Sequence, residues 1–193
     1  NKLYFTCVDK FSKFASIILI KSRSVIDVTP ALLQLINFYP NVQRIYCDNE
    51  GAFNALAIGQ LCERYGISIS SCPPHHSTSN GQVERFHSTL GEMARCLREE
   101  RQILDTTELM LTTAIEYNRT IHSVTKEKPS DILFGLSAQP NVQIRDKLVE
   151  AQRKQLLRFN KNRKHITFDL GQKVLVKTNR RIGNKLSPRY VTR

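Results

Sequence analysis

The chain is organised around one stretch, CPPHHSTSNGQVERFHSTL at residues 72–90. Its first half predicts a loop, because two consecutive prolines and a run of small polar residues oppose regular structure. From Val83 onward, apolar residues recur at the spacing of one helix face. They are Val83, Phe86, Leu90, Met93, Ala94 and Leu97. The sequence therefore predicts a polar loop that passes directly into a long helix.

Glu84 lies in the first turn of this predicted helix. Ser79 is placed to cap the helix, and Gln82, three residues on, is placed as its capping-box partner. At 100° per residue, one polar stripe lies away from the apolar face. It contains Glu84, Ser88, Gly91 and Arg95. Glu84 is either a carboxylate that binds a metal or substrate beside the loop, or simply an anion that the helix dipole favours.

The composition fits one medium-sized domain with a small, basic appendage. The chain has 193 residues, 40% of them apolar, and no apolar run of about 18 that would predict a membrane-spanning helix. Residues 141–193 contain 15 Lys and Arg against 3 Asp and Glu, which gives the whole net charge of +12. This asymmetry predicts that the C-terminal part binds a polyanion, most simply nucleic acid, with a solvated basic tail as the alternative.

The cysteines predict neither a disulfide framework nor a structural zinc site. They are Cys7, Cys47, Cys62, Cys72 and Cys96, and no two have CxxC spacing. Free thiols, mostly in apolar runs, are typical of buried cysteines in a reducing compartment. The N-terminus has no signal-peptide pattern. It resembles the middle of a strand, so we expect a piece of a longer product.

Before the central loop, strand and helix signals alternate. LYFTCV and ASIILI (residues 3–8 and 15–20) predict a hairpin with a tight turn. Thr29 and Pro30 predict a helix start, with Thr29 as the cap and Pro30 in first position. A strand at 42–47, a helix from Asn54 closed by Gly66, and a short strand at 67–70 follow. The alternation predicts an α/β layout in which helices cover a sheet.

After the long helix, the pattern becomes helical and then basic. A helix at 106–118 precedes KPSDILFG, which predicts a short helical turn closed by Gly135. A long basic helix is predicted from Val142 to about Lys164. One of its sides contains Ile144, Leu148, Ala151, Gln155 and Phe159. FDLGQKVLVK then predicts a turn and a strand of a small β-barrel.

Two carboxylates stand at positions where α/β folds place their sites. Asp48 ends a predicted strand, and Glu84 begins the helix after the next strand, with thirty-five residues between them. Such a pair favours Mg²⁺ or Mn²⁺ over zinc, and a pair of such ions suits phosphodiester chemistry. The spacing alone is weak evidence, because the chain contains 17 acidic residues.

The surrounding residues carry a specific resemblance. RIYCDNEGAFN followed by PPHHSTSNGQVERFHSTL resembles the catalytic core of retroviral-type integrases, in particular those of insect gypsy-type LTR retrotransposons. LYFTCVDKFSKF and KPSDILFG fit the same family pattern, and FDLGQKVLVK with NKLSPRY is similar to the start of the family's C-terminal barrel. The resemblance covers nearly the whole chain.

This resemblance implies a ribonuclease H-like α/β core at residues 1–136, a basic helical linker at 137–164 and a partial SH3-like barrel at 165–193. It implies a triad of two Asp and one Glu, in which Asp48 matches the second member and Glu84 the third. Two metal ions, Mg²⁺ or Mn²⁺, would serve 3′-end trimming and strand transfer. The implied partners are double-stranded DNA and further copies of the chain, without a membrane, in the nucleus.

One departure concerns the family's first catalytic Asp, which lies on a strand well ahead of the position matched by Asp9. Only eight residues precede Asp9 here. We therefore expect the first carboxylate and its strand to be missing from these residues. We interpret Asp9 as a structural residue that bonds the turn amides of Lys10 to Ser12. The hypothesis is that the 193-residue chain does not catalyse strand transfer by itself.

A second departure concerns the DNA contacts. Many retroviral members carry lysines where this chain has Ser88 and Gly91; Arg85 and Arg95 either replace them or are solvated surface charges. His76 and Asn80, in the predicted loop, are further candidate DNA contacts. His75 and His76 are expected to bond polar groups or phosphates rather than to ligate a metal.

Two functional classes remain open. The first is an integrase that processes element DNA ends and joins them to target DNA. The second is a degenerate or domesticated integrase-like protein that binds nucleic acid without catalysis. A generic basic nucleic-acid-binding protein would leave the motif at residues 73–86 unexplained.

Overall fold

The computed structural model describes residues 2–48, 51–71, 81–161, 169–173, 175–177 and 190–192. The chain divides into two compact units, residues 1–152 and 153–193. The described strands form three two-stranded sheets. The predicted boundaries at 136 and 164 stay predictions.

The first unit opens with the predicted hairpin. Strand β1, Leu3–Val8, pairs antiparallel with strand β2, Ala15–Ile20, in a register that sets Leu3 opposite Ile20 and Val8 opposite Ala15. Both strands are rich in β-branched and aromatic residues, which fit a pleated sheet.

Helix α1, Val25–Phe38, corrects the predicted helix start. Its cap is Ser24, whose hydroxyl accepts a hydrogen bond from the Asp27 amide, and Pro30 lies inside the helix. Proline in the second turn removes only one helical N–H donor. The Thr29 hydroxyl bonds the Val25 carbonyl at 2.7 Å instead of capping a helix. The helix therefore starts at the cap formed by Ser24, with Asp27 three residues on, and not at the start that Thr29 and Pro30 predict.

Two parallel strands and the helix between them follow. Strand β3, Arg44–Cys47, is two residues shorter than predicted, and helix α2, Leu56–Arg64, begins two residues later than predicted. Gly66 ends this helix with φ 67°, as predicted, because glycine adopts the left-handed conformation without a Cβ clash. Strand β4, Ser68–Ser71, pairs parallel with β3.

Three helices complete the first part of the molecule: α3 at Gly81–Arg101, α4 at Thr106–Arg119 and α5 at Pro129–Leu133. The predicted apolar face of α3 is confirmed, because Phe86, Leu90, Ala94 and Leu97 are buried. The predicted short turn is also confirmed, and Gly135 follows it with φ 71°. The predicted caps of α3 at Ser79 and Gln82 lie outside the described residues and side chains.

The core lies on both faces of the hairpin. On one face, Phe5 and Ile20 pack against a cluster built mainly from α1 and α2, with Val28, Leu32 and Ile58 at its centre. On the other face, a second cluster joins the hairpin to α3 and α4. It contains Ala15, Ile17, Phe86, Leu90 and Ala114, with Tyr4, Val8, Met110 and Tyr117 packed against them. Alternate strand residues therefore enter different cores, as the period of two requires.

Helix α6, Asn141–Asn160, is four residues shorter at its end than predicted. On the side of α6 that contains these residues, Ile144 is fully buried and Leu148 and Ala151 are half-buried, whereas Gln155 and Phe159 are exposed. Strands β5, Leu175–Lys177, and β6, Tyr190–Thr192, pair antiparallel. None of the helices in the described ranges is long and apolar enough to cross a membrane.

The cysteines in the described ranges form no disulfide, but one of them corrects the prediction of buried cysteines. Cys47 and Cys62 are buried and Cys7 is half-buried, whereas Cys96 is exposed. Cys96 follows the buried Ala94 by two residues and so lies off the apolar face of α3. Cys72 is outside the described residues.

One buried side chain joins α4 to the edge of the hairpin. Asn118 Oδ1 accepts from the Ala15 amide at 2.8 Å, and its Nδ2 donates to the Ala15 carbonyl at 2.8 Å. The side-chain amide thus satisfies both backbone groups of a residue that is itself buried. Backbone polar groups buried without partners are costly, so this contact fixes where α4 meets the sheet.

We predict that Asn118→Ala lowers the free energy of unfolding by about 2–4 kcal/mol, because it leaves two buried backbone groups unsatisfied. Urea denaturation of the 193-residue chain measures this. The matched control is Thr120→Ala, which removes an exposed hydroxyl that bonds only the Glu116 carbonyl of its own helix. Equal effects of the two substitutions would contradict the prediction.

Candidate functional site

Asp48 stands at one edge of the parallel sheet. It follows β3 directly and its side chain is exposed. Cys47 lies opposite Ser71 in the register of β3 and β4, so both strands end at the same edge. The carboxyl ends of parallel strands are where α/β folds bind ligands. The sequence placed Asp48 correctly at the end of a strand.

Glu84 lies in the first turn of α3, and it is exposed while Phe86, two residues on, is buried. The chain reaches α3 from the end of β4 through residues 72–80, which are outside the described ranges. The polypeptide thus passes from the end of the sheet at which Asp48 lies to the helix that contains Glu84.

The other predicted site residues divide into two groups. Arg85 and Arg95 are exposed on α3, as is Ser88, so their side chains are accessible to a ligand. His75, His76 and Asn80 lie outside the described residues, and their predicted roles stay predictions.

Asp9 has the structural role that the sequence predicts. Its Oδ2 accepts from the Ser12 amide at 2.7 Å and from the Ser12 hydroxyl at 2.6 Å. Ser12 is itself buried, and the Lys13 amide donates to the Asp9 carbonyl at 3.0 Å. These bonds close the turn of the hairpin.

Sequence reasoning missed a cationic contact beside Asp48. The Lys10 ammonium lies 3.5 Å from the centre of the Tyr46 ring, and Arg44 Nη1 donates to the Tyr46 hydroxyl at 3.1 Å. This hydrogen bond is the main cause that lowers the pKa of Tyr46. Tyr46 precedes Asp48 by two residues. No sequence signal marks the Lys10 contact, because Lys10 lies in the hairpin turn and Tyr46 on β3, far apart in the chain.

The hairpin turn carries a second cation in an unusual setting. Lys13 has φ 68°, a left-handed backbone conformation, and burial lowers the pKa of its amine to about 8. Asp9 opposes this shift, while Arg85 and Lys10 add to it.

The donor chemistry fits a hard cation. Asp48 and Glu84 offer anionic oxygens, which Mg²⁺ and Mn²⁺ prefer, and both side chains are accessible from solvent. Within the ranges described, no three His, Cys, Asp or Glu side chains come together as a metal site. Cys7 offers no soft ligand nearby, since burial raises the pKa of its thiol to about 12 and keeps it protonated.

Comparison with known proteins agrees with this geometry. Residues 2–77 match the model of the integrase core domain. The chain is 47% identical over 189 residues to the retrovirus-related Pol polyprotein from transposon gypsy of Drosophila melanogaster. The chain is therefore similar to the integrase core domain over residues 2–77 and to a gypsy Pol polyprotein along nearly its whole length. The match covers 97% of this chain but only 18% of the gypsy polyprotein, so the chain spans less than a fifth of that relative.

Solved structures share the fold of this chain. The catalytic core domain of BIV integrase aligns with a TM-score of 0.59 at 22% identity, over 70% of this chain and 87% of that one. The HTLV-2 integrase catalytic core, solved in complex with magnesium in a trimeric form, aligns with a TM-score of 0.55 at 19% identity, over 68% and 91%. The predicted ribonuclease H-like α/β core is therefore confirmed.

We predict that Asp9→Ala lowers the free energy of unfolding by about 2 kcal/mol, because the Ser12 amide and hydroxyl lose a charged acceptor. It should leave the affinity for Mn²⁺ unchanged, since the Asp9 carboxylate is hydrogen-bonded within the hairpin turn. Urea denaturation and water-proton relaxation measure the two quantities, with exposed Asp146→Ala as the control. A loss of Mn²⁺ affinity as large as that of Asp48→Asn would make Asp9 a metal ligand.

Proposed function

We propose that this chain is the catalytic part of a DNA integrase, a polynucleotidyl transferase that trims the 3′ ends of element DNA and joins them to target DNA. The observation that carries the proposal is the identity to a gypsy Pol polyprotein, which extends over 97% of the chain. The placement of Asp48 at a strand end and of Glu84 at a helix start supports it.

In this proposal Asp48 and Glu84 hold divalent cations, Mg²⁺ or Mn²⁺. When bound, such ions lower the pKa of an attacking water or 3′-hydroxyl and stabilise the leaving oxygen of a phosphodiester. The HTLV-2 core solved with magnesium supports this choice of ion. Asp48 and Glu84 contribute the negative charge that hard cations need. Because they adjoin a rigid strand and lie on a rigid helix, the positions of their carboxylates are restricted.

The remaining polar residues of the site bind DNA in this proposal. Arg85 and Arg95, exposed on the helix of Glu84, contact backbone phosphates, with His76 and Asn80 of the preceding loop. Lys10, next to Tyr46, adds positive charge on the strand that leads to Asp48. Positive charge beside paired carboxylates offsets the repulsion that the acids exert on a phosphate.

We expect Asp48→Asn and Glu84→Gln each to weaken Mn²⁺ binding by the 193-residue chain about tenfold or more, because each removes an anionic oxygen ligand. Glu92→Gln, an exposed acid two turns along α3, should leave binding unchanged. Water-proton relaxation enhancement measures the affinity without requiring turnover.

Catalysis of strand transfer by this chain is tested separately from metal binding. Two of the three carboxylates that the resemblance implies are assigned within it, so we expect no strand transfer by the 193 residues alone in Mg²⁺. Strand transfer by this polypeptide would refute that expectation while leaving the metal role of Asp48 and Glu84 intact. Normal Mn²⁺ binding by both carboxylate variants would instead favour the alternative of a non-catalytic integrase-like protein.

Double-stranded DNA is the proposed partner, and the second unit supplies most of the affinity. Residues 153–193 carry 13 Lys and Arg (15 minus Arg145 and Lys147) against 1 acid (Asp169), which is the entire +12. We also propose that copies of the chain associate, as the trimeric HTLV-2 core does, and that they act in the nucleus. Imaging of the tagged chain in cells tests the location.

We predict that removing residues 153–193 reduces both the DNA affinity and its dependence on salt, since each phosphate contact contributes about −0.9 to the slope of log K against log salt. Ending the chain at Gln152 keeps the buried Ile144 in place. The control is Lys21→Gln with Lys128→Gln, two exposed cations of the first unit. An unchanged affinity and slope after truncation would exclude the basic unit as the DNA contact.

A further inference from the structure

A polar contact joins the first half of α3 to the hairpin. The Thr6 hydroxyl oxygen lies 2.8 Å from Nε2 of His87, across 81 residues of sequence. Thr6 is in the middle of β1, and His87 follows Glu84 by three residues on α3. Sequence reasoning did not single out His87, because one histidine on an otherwise polar helix face carries no signal.

An apolar contact holds the same turn of the helix from another side. Phe86 is 3% exposed, and its ring centre lies 5.0 Å from that of Tyr117 in a perpendicular arrangement. Phe86 also packs in the cluster with Ala15 and Ile17 of β2. Burial of one apolar stripe holds α3 against the sheet and limits its rotation to the width of that stripe.

The hydrogen bond constrains the rotation of α3 more narrowly than the apolar packing does. Donor–acceptor pairs near 2.8 Å tolerate little change in distance or angle. Residues three apart on a helix lie on the same side, with Cβ atoms about 5–6 Å apart. Any rotation of α3 that broke the contact between His87 and Thr6 would therefore turn the Glu84 carboxylate through the same angle.

We propose that His87 is a positioning residue, which through its bond to Thr6 sets the direction in which α3 presents the Glu84 carboxylate to a metal ion. This inference rests on the metal-holding role proposed for Glu84. His87 does not itself ligate the ion through Nε2, since that nitrogen is bonded to Thr6. Thr6 is the partner of His87 in this contact, and its hydroxyl is hydrogen-bonded to His87 Nε2.

The test uses the 193-residue chain with Mn²⁺ as the probe. Thr6→Val removes the hydroxyl with little change in shape and leaves His87 in place. We expect it to weaken Mn²⁺ binding roughly tenfold, as loss of residues that orient metal ligands does. His87→Ala should weaken binding by the same factor, and the double variant should be no weaker than either single one. His87→Gln, which can still bond Thr6, should recover part of the affinity.

The matched control is Thr89→Val, the same change at an exposed position of the same helix. It should alter neither Mn²⁺ binding nor the thermal midpoint. If Thr6→Val and His87→Ala lower only the thermal midpoint, the contact is merely structural and the inference is wrong. Additive losses of Mn²⁺ affinity in the double variant would likewise overturn it, because two residues acting through one bond cannot add.

Glu84→Gln, measured in parallel, separates this inference from the proposed function. Weaker Mn²⁺ binding by Glu84→Gln, together with normal binding by Thr6→Val and His87→Ala, overturns the positioning role alone. Normal binding by Glu84→Gln overturns the metal role of Glu84 and the positioning role with it.

Discussion

Burial of both faces of the β1–β2 hairpin is the constraint on which the first unit depends. Phe5 and Ile20 enter the cluster with α1 and α2, while Ala15 and Ile17 enter the cluster with α3 and α4. A sheet with only one apolar face would need helices on that face alone, because its polar face could remain in contact with solvent. Because both faces are apolar, helices must cover the hairpin on both sides, and this places α3 against β1.

The second constraint is polar and acts at the borders of these clusters. Asn118 satisfies both backbone groups of Ala15, and Asp9 closes the turn through Ser12. Thr6 and His87 connect the hairpin to the helix that carries Glu84. Apolar packing brings the layers together, and these directional bonds select one arrangement among those that bury similar area.

The net charge is divided unevenly between the two units of the chain. The first unit is close to neutral in sum, with cations placed locally, as at Lys10 beside Tyr46, whereas the second unit carries the whole net charge. Such a division separates two tasks. Under the proposed function, local cations would orient a phosphate near the carboxylates, and the basic unit would raise the affinity for DNA of any sequence.

The amino-acid sequence by itself determined the order of elements, the apolar face of α3, the strand-end position of Asp48 and the first-turn position of Glu84. These follow from local periodicity and from short turn signals, which need only neighbouring residues. It misjudged the start of α1, where Ser24 and Asp27 outweighed Thr29 and Pro30, and the burial of Cys96. Only the tertiary structure decided that Asn118 bonds Ala15, that Lys10 lies over Tyr46 and that His87 meets Thr6, because each contact joins residues that are far apart in the chain and depends on how the layers pack.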